Sequence, residues 1–348
     1  MTDKTNRKAE LLSSPIEHID ITQFDARPVI DAWEKMSFTS RDAARAARIL
    51  NAAVSDPDCS VILTLAGSTS AGGCMHVWRD MVRNNMVDAI VATGASIVDM
   101  DFFEALGFKH YQAKDIPDDR ILRDLYIDRI YDTYIDEEEL QACDHTIGEI
   151  ADSLPAKPIS SRAFIHAMGK WLADGNAKKE GSLIQDCYEH GVPIFVPAFA
   201  DCSAGFGLVK HQVERMKANQ PYLSIDAVAD FRELTDIKIK AGVTGLFMVG
   251  GGVPKNFAQD TVVCAEILGH EVPMHAYAVQ ITVADVRDGA CSSSTLKEAC
   301  SWGKVDVTLE QMVFAEATTV APLIVSDVYH REAWKGRKKR RFADMFED

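Results

Sequence analysis

The eight cysteines form no CxxC pair and no zinc-type spacing, and the ten histidines form no HxxxH or HExxH pattern. The sequence therefore gives no support for a metal centre, and scattered cysteines in a chain this long read as reduced thiols. No apolar run reaches the roughly 18 residues that a bilayer-crossing helix needs. The opening MTDKTNRKAELLSS is polar, without the apolar stretch of a secretion signal, so a cytoplasmic location is expected. Basic residues are the minority, 37 against 52 acidic, for a formal net charge of −15. Such a surface repels nucleic acid and concentrates small cations. There is no internal repeat, no Gly/Ser linker and no recognisable Ser-His-Asp order.

What the 348 residues do contain is an alternation of short apolar runs with helical patterns. The runs 61–67, 87–94, 192–201, 245–252, 274–282 and 322–329 are apolar at nearly every position, which predicts strands covered on both faces, as in a parallel sheet. Helical spacing marks 42–54, 76–85, 160–175, 206–219 and 256–269. The pattern predicts an α/β fold with a doubly wound, mostly parallel sheet. Residues 108–158 are charged and tyrosine-rich, and read as a peripheral excursion or subunit contact. Met75, Met81 and Met86 are spaced like core fillers. The expected division is a flexible segment over 1–20, one compact domain over 21–334 and a tail over 335–348.

In open α/β sheets ligands bind beyond the carboxyl ends of the strands. AGSTSAGG (66–73) follows the first run and opens a helix, so its small residues let backbone N–H groups approach a pyrophosphate. It is not GxGxxG, and a plain tight turn is the alternative. TGAS (93–96), with Asp99 beyond it, DCSAG (201–205) and GGGVPKN (250–256) end three further runs. Four glycine-bearing strand ends point to one shared cleft more readily than to four unrelated turns.

The segment 284–307, ADVRDGACSSSTLKEACSWGKVDV, gathers Glu298, Trp302 and Lys304 in a short loop and helix. Trp302 offers an apolar wall, Gly303 leaves access to the amine, and Glu298 could hold a cationic amine. A crowded, apolar site favours the neutral, nucleophilic form of a lysine. The bland alternative is a solvated lysine after a buried tryptophan.

EACSWGKV (298–305) resembles the active-lysine segment of the deoxyhypusine synthase family, and the resemblance extends over nearly the whole chain after residue 20. NMVDAIVATGA (85–95), VPIFVPAFADCSAG (192–205), GGGVPKN (250–256) and FAEATTVAPLIVSDV (314–328) resemble further segments of that family, in its order. The resemblance implies a Rossmann-like NAD-binding fold and a homotetramer with sites at a subunit interface. It also implies a reaction in which NAD oxidises spermidine to an imine. The aminobutyl group then passes through Lys304 to an acceptor amine. Carried over by motif, Lys304 is the nucleophile. Glu298, Trp302, Gly251 and Gly289 border the polyamine. The cofactor is lined by Gly67, Ser68, Thr69, Ser70 and Ala71; by Thr93, Gly94, Ala95 and Asp99; and by Asp201, Val283, Ala284, Asp288, Glu316 and Ala317.

Asp99 and Glu316 exchange Glu for Asp and Asp for Glu relative to the family, and each keeps a carboxylate. Three departures change the expected polyamine pocket: Phe206 and Cys291 stand where substrate-binding aspartates are common, and Asn256 replaces a histidine. The expected acceptor is therefore either a hypusine-type translation factor or a small diamine such as putrescine, which would yield homospermidine. A catalytically silent NAD-binding subunit is the reading from another class, and the intact Lys304 and Trp302 weigh against it. The six basic residues within 335–341 are expected to form a solvated helix end or a tail folded on the acidic body, instead of binding nucleic acid or lipid.

Overall fold

The computed structural model describes residues 2–346. Six parallel strands form the central sheet: β1 (Ser60–Leu65), β2 (Ala89–Ala92), β3 (Ile194–Phe195), β4 (Thr244–Val249), β5 (Tyr277–Thr282) and β6 (Glu310–Phe314). Their spatial order is β6-β5-β4-β1-β2-β3, every neighbouring pair parallel. That is the doubly wound Rossmann order, with the reversal between β1 and β4.

The continuous apolarity of the inner strands has a direct structural cause. In β1, Val61, Leu63 and Leu65 join one core cluster while Ile62 joins the other; in β4, Phe247 and Val249 oppose Leu246 and Met248. Both faces are covered, and burying each such side chain stabilises the fold by about 1.5–3 kcal/mol. The helix Phe38–Ser55 covers one face with small residues, Ala43, Ala46, Ala47 and Ala53 among them, so that it lies close to the sheet.

One predicted strand is a helix. The run 322–329 lies inside the helix Ala317–Arg331, with Pro322 in its interior. Burial of most of its positions made it largely apolar, and such a run does not distinguish strand from helix. Its start is marked by Glu316, whose carboxylate accepts from Thr318 N and Thr319 N. The sixth strand is instead Glu310–Phe314, an edge strand whose Gln311 is half-buried and whose Phe314 is exposed. That half-polar pattern hid it.

Residues 108–158 hold a small antiparallel sheet (Tyr111–Gln112, Ile127–Ile130, Thr133–Asp136) and the helix Glu137–Ser153. Asp136 caps that helix, and three glutamates fill its first turn, where the helix dipole favours them.

The segment 1–20, expected to be flexible, is largely held in contacts. Thr2–Leu11 is helical, and Lys8 pairs with Asp136 and Glu138, both at 2.8 Å. Further on, Ile16 N donates to His110 O and Ile19 N to Gly73 O, each at 2.9 Å. His18 and His110 both reach the buried Glu104, as does Lys179.

The tail folds back onto the body. Arg337, buried, donates to both oxygens of Asp88 and to the carbonyls of Asn85 and Cys59. Among the described residues no helix is long and apolar enough to cross a membrane.

Candidate functional site

Two clefts lie on either side of one loop. The first, about 800 Å³, opens at the reversal point of the sheet. Its floor is Ala66–Thr69 after β1 and Gly250–Gly251 after β4; its walls include Ala71, Val283, Ala284, Glu316 and Ala317. Gly67 has φ +92° and nothing within 4 Å of where a Cβ would stand, so the backbone lies bare toward the opening. Ser96 Oγ donates to Gly67 O at 3.1 Å, and Thr93 Oγ1 lies 3.0 Å from Ser96 Oγ, which holds the turn from behind. A dinucleotide fits here: the volume suffices, the floor carries only glycines and small side chains, and the place is where the fold binds such ligands.

Gly67, Ser68, Thr69, Ala71, Val283, Ala284, Glu316 and Ala317 all line this cleft, and Gly251, expected beside the polyamine, lines it too. The other expected cofactor residues stand elsewhere. Ser70 is buried beneath the turn. Thr93, Gly94 and Ala95 buttress from behind; a Cβ on Gly94 would stand 2.4 Å from Cys202 Sγ. Asp99 is turned away, accepting from Ser203 N at 2.8 Å, and burial pushes its carboxyl up to about 6. Asp201 is exposed at the turn before the helix Ser203–Lys217. Asp288 closes its own loop, accepting from Ser293 Oγ and Ala290 N, which hold its carboxyl below the usual range. Glu316 lines the cleft but spends its oxygens on Thr318 and Thr319. Burial raises its carboxyl and those bonds more than offset it, so the net direction is down.

The second cleft, about 580 Å³, contains Lys304, Trp302, Glu298, Asn256, Cys291 and Gly289 together with Asp260, Gln259 and Ser294. Local sequence explains how Lys304 reaches it. Thr295 and Glu298 form a capping box that starts the helix Leu296–Ser301. Gly303, at φ +71°, ends it. Lys304 then bends back, donating its N–H to Ala299 O and accepting from His275 N at 2.9 Å. The bridge between His275 and Val305 sets this stretch beside the residues that lead into β5.

The environment of Lys304 is ionic, not the apolar wall that the sequence led us to expect. Its Nζ lies 2.5 Å from Asp260 Oδ1 and donates to Asn256 Oδ1 at 3.2 Å. Asn256 Nδ2 in turn donates to Asp260 Oδ2 at 2.7 Å. The three groups form a closed ring. Trp302 is 67% exposed, with its ring centroid 5.2 Å from Nζ, a cation–π distance. Phe206, expected in the polyamine pocket, lines neither cleft; it is 70% exposed on the helix Ser203–Lys217.

Asp260 was missed from sequence. The signal was its spacing: Asn256 and Asp260 are four residues apart across a helical segment, so both face one way. The loop 288–294 is the shared wall. Cys291 and Ser294 face the lysine cleft while Ser292 faces the other. Ser292 is pinned by Gln280 Nε2 on its carbonyl at 3.0 Å and by Gly252 N on its hydroxyl at 2.9 Å. Lys255 secures the loop from below, its Nζ reaching Cys291 O at 3.0 Å and also Ser294 O. Burial lowers the Lys255 ammonium to about 8.

Comparison with known proteins agrees with this architecture. The family profile described as deoxyhypusine synthase matches residues 28–328. A deoxyhypusine synthase-like protein of Caulobacter vibrioides is 74% identical over 341 residues, covering 98% of this chain and 93% of that protein. A protein of the same description from Coxiella burnetii is 70% identical over 339 residues, covering 97% and 96%. A solved Entamoeba histolytica chain assigned as a deoxyhypusine synthase superposes with a TM-score of 0.59 at 20% identity, covering 94% of this chain and 99% of that one. At that identity the superposition bears on the fold alone.

Proposed function

The chain belongs to the deoxyhypusine synthase family, and on that premise we propose that it is an NAD-dependent transferase moving the aminobutyl group of spermidine through an imine on Lys304 to an acceptor amine. The observation that carries this reading is the pairing of an amine nucleophile, held by two polar partners in one cleft, with a dinucleotide-sized cleft across a single loop.

The turn Gly67–Thr69 with Val283, Ala284, Glu316 and Ala317 would hold NAD, which would supply the hydride acceptor that turns the secondary amine into an electrophile. The protein's own groups do the rest. Among the described residues Glu298 and Asp260 are the carboxylates of the lysine cleft, and they draw the polycation in. Lys304 takes the aminobutyl carbon from the imine as the small diamine leaves. Trp302 shields one side of Nζ from water.

A small diamine acceptor such as putrescine is the second reading, favoured by one observation. Asp260 is already engaged by Lys304 and Asn256, which leaves Glu298 as the cleft carboxylate with no cationic partner. Among the described residues of this cleft, one carboxylate without a cation against it suits one ammonium. A hypusine-type translation factor is the competing acceptor. Incubation with NAD and spermidine, with putrescine or with such a factor, separates them. Homospermidine identifies the diamine, and a mass gain on the factor identifies the protein acceptor. No diaminopropane under either condition contradicts the proposal.

Within one chain the loop 288–294 stands between the clefts, and Phe206 lies on the outer surface. We therefore take the working form to be an assembly, the homotetramer that the family resemblance implies, in which a neighbouring copy brings further groups to each cleft.

A further inference from the structure

We infer that Asp260, aligned by Asn256, is the counter-ion of a cationic imine on Lys304. The chemical identity of that imine rests on the function proposed above; the test does not. In the resting chain the ammonium of Lys304 is closed into a ring with the Asp260 carboxylate and the Asn256 amide. An iminium on the same nitrogen carries the same single positive charge. The carboxylate therefore keeps its partner through the covalent step, and the Asn256 amide needs no rearrangement to go on orienting it. Asp260→Asn keeps the shape of the side chain but removes its charge and one of its two acceptor oxygens.

The incoming substrate iminium has one N–H, and Lys304 Nζ carries three hydrogens. As the Nζ–C bond forms and the bond from carbon to the departing nitrogen breaks, the electron pair goes to that nitrogen. Two protons pass from Nζ to it, one of them by way of Asp260. Lys304 is left as an iminium with one N–H, Asp260 as a carboxylate, and the departing amine as an ammonium.

The other charged or titratable groups around Nζ are occupied or of another kind. Lys255 points to the carbonyls of Cys291 and Ser294. The carboxylate of Glu298 belongs to the capping box with Thr295. Cys264 and Cys291 present thiols to the cleft, and Trp302 an aromatic face. Among the described residues of this cleft, only Asp260 places a carboxylate oxygen against Nζ.

The test uses the full-length protein, butanal as a small aldehyde, and cyanoborohydride, which reduces only the protonated imine. The reduced adduct on the Lys304 peptide is quantified by mass spectrometry from neutral to alkaline pH. The Asp260 carboxylate caps no backbone N–H of the helix Thr261–Ile267 that follows it, so Asp260→Asn is a nearly isosteric change, with folding checked by circular dichroism. The alkaline midpoint of trapping falls by at least about 1 pH unit in Asp260→Asn, as loss of an opposite charge in contact with the nitrogen requires. Asp260→Glu returns it toward the parent, and Asn256→Ala shifts it less, in the same direction. Coincident midpoints for the parent and Asp260→Asn overturn the inference, as does a parent protein never trapped at Lys304. Spermidine-dependent NADH formation is followed separately. Its failure with trapping and midpoints as expected counts against the proposed substrate and leaves the counter-ion standing.

Discussion

Glu298 plays two parts that a single substitution can separate. Its backbone and carboxylate close the capping box on Thr295, and its charge faces the cleft. Glutamine serves equally well at that helix position, so Glu298→Gln retains the helix and removes only the charge. The expected result is a rise in KM for the amine substrate of about tenfold, or roughly 1.4 kcal/mol. Steady-state kinetics with parallel melting curves reads it, and kcat and the melting temperature stay near the parent values. At this scale the sequence was partly legible. Lys304, Trp302, Glu298, Asn256, Cys291 and Gly289 were named from motif and do share a cleft. Asp260 was not, because it lies outside every glycine-rich turn and gains its meaning only when Lys304 folds back against it. Asp99 was misread for a similar reason. A carboxylate just past a strand end has two candidate partners, a ligand or a neighbouring helix, and spacing does not say which; here it is Ser203 N.

Among the elements, the loop 288–294 decides whether the two clefts remain distinct. A Cβ on Gly251 would stand 2.4 Å from the Cα of Ser292, a backbone atom that cannot simply rotate aside. Gly251→Ala therefore pushes the loop outward, and we expect dinucleotide affinity to fall at least about tenfold, measurable by calorimetry. The N-terminal segment is governed by a different element-level contact. Burial disfavours the charge on Glu104, yet bonds from His110, His18 and Lys179 more than offset it, and its carboxyl lies well below the usual range. A depressed carboxyl stabilises the fold above its unfolded value of about 4.3 and loses that contribution as pH falls through the folded value. Glu104→Gln is thus less stable than the parent at neutral pH, and the gap closes below about pH 4. Urea unfolding at a series of pH values checks this; a gap independent of pH would contradict it. Strands β1, β2, β4 and β5 were legible because their burial on both faces leaves a nearly continuous apolar run. The helix Ala317–Arg331 was not, since the burial of its middle, Val320 to Val328, writes a similar pattern, and the half-exposed edge strand Glu310–Phe314 writes almost none.

Taken whole, the molecule leaves one helix unusually apolar on its outer side. Phe206, Val209, Val213 and Met216, all exposed, follow helical spacing along Ser203–Lys217. A contiguous exposed stripe of this kind marks an interaction surface. We expect sedimentation equilibrium to give a multiple of the single-chain mass, and Phe206→Ser combined with Val213→Glu to reduce it to a single chain without loss of circular dichroism. A parent protein that sediments as one chain would contradict the assembly.

On the proposed function, Lys304 carries the aminobutyl group between two amines. Purified protein is incubated with NAD and spermidine, reduced with borohydride, and its Lys304 peptide weighed. The predicted result is diaminopropane in solution and a reduced aminobutyl adduct on Lys304, absent from Lys304→Arg. Diaminopropane released with no adduct on Lys304 would contradict the covalent route, and NAD bound with spermidine untouched would contradict the substrate.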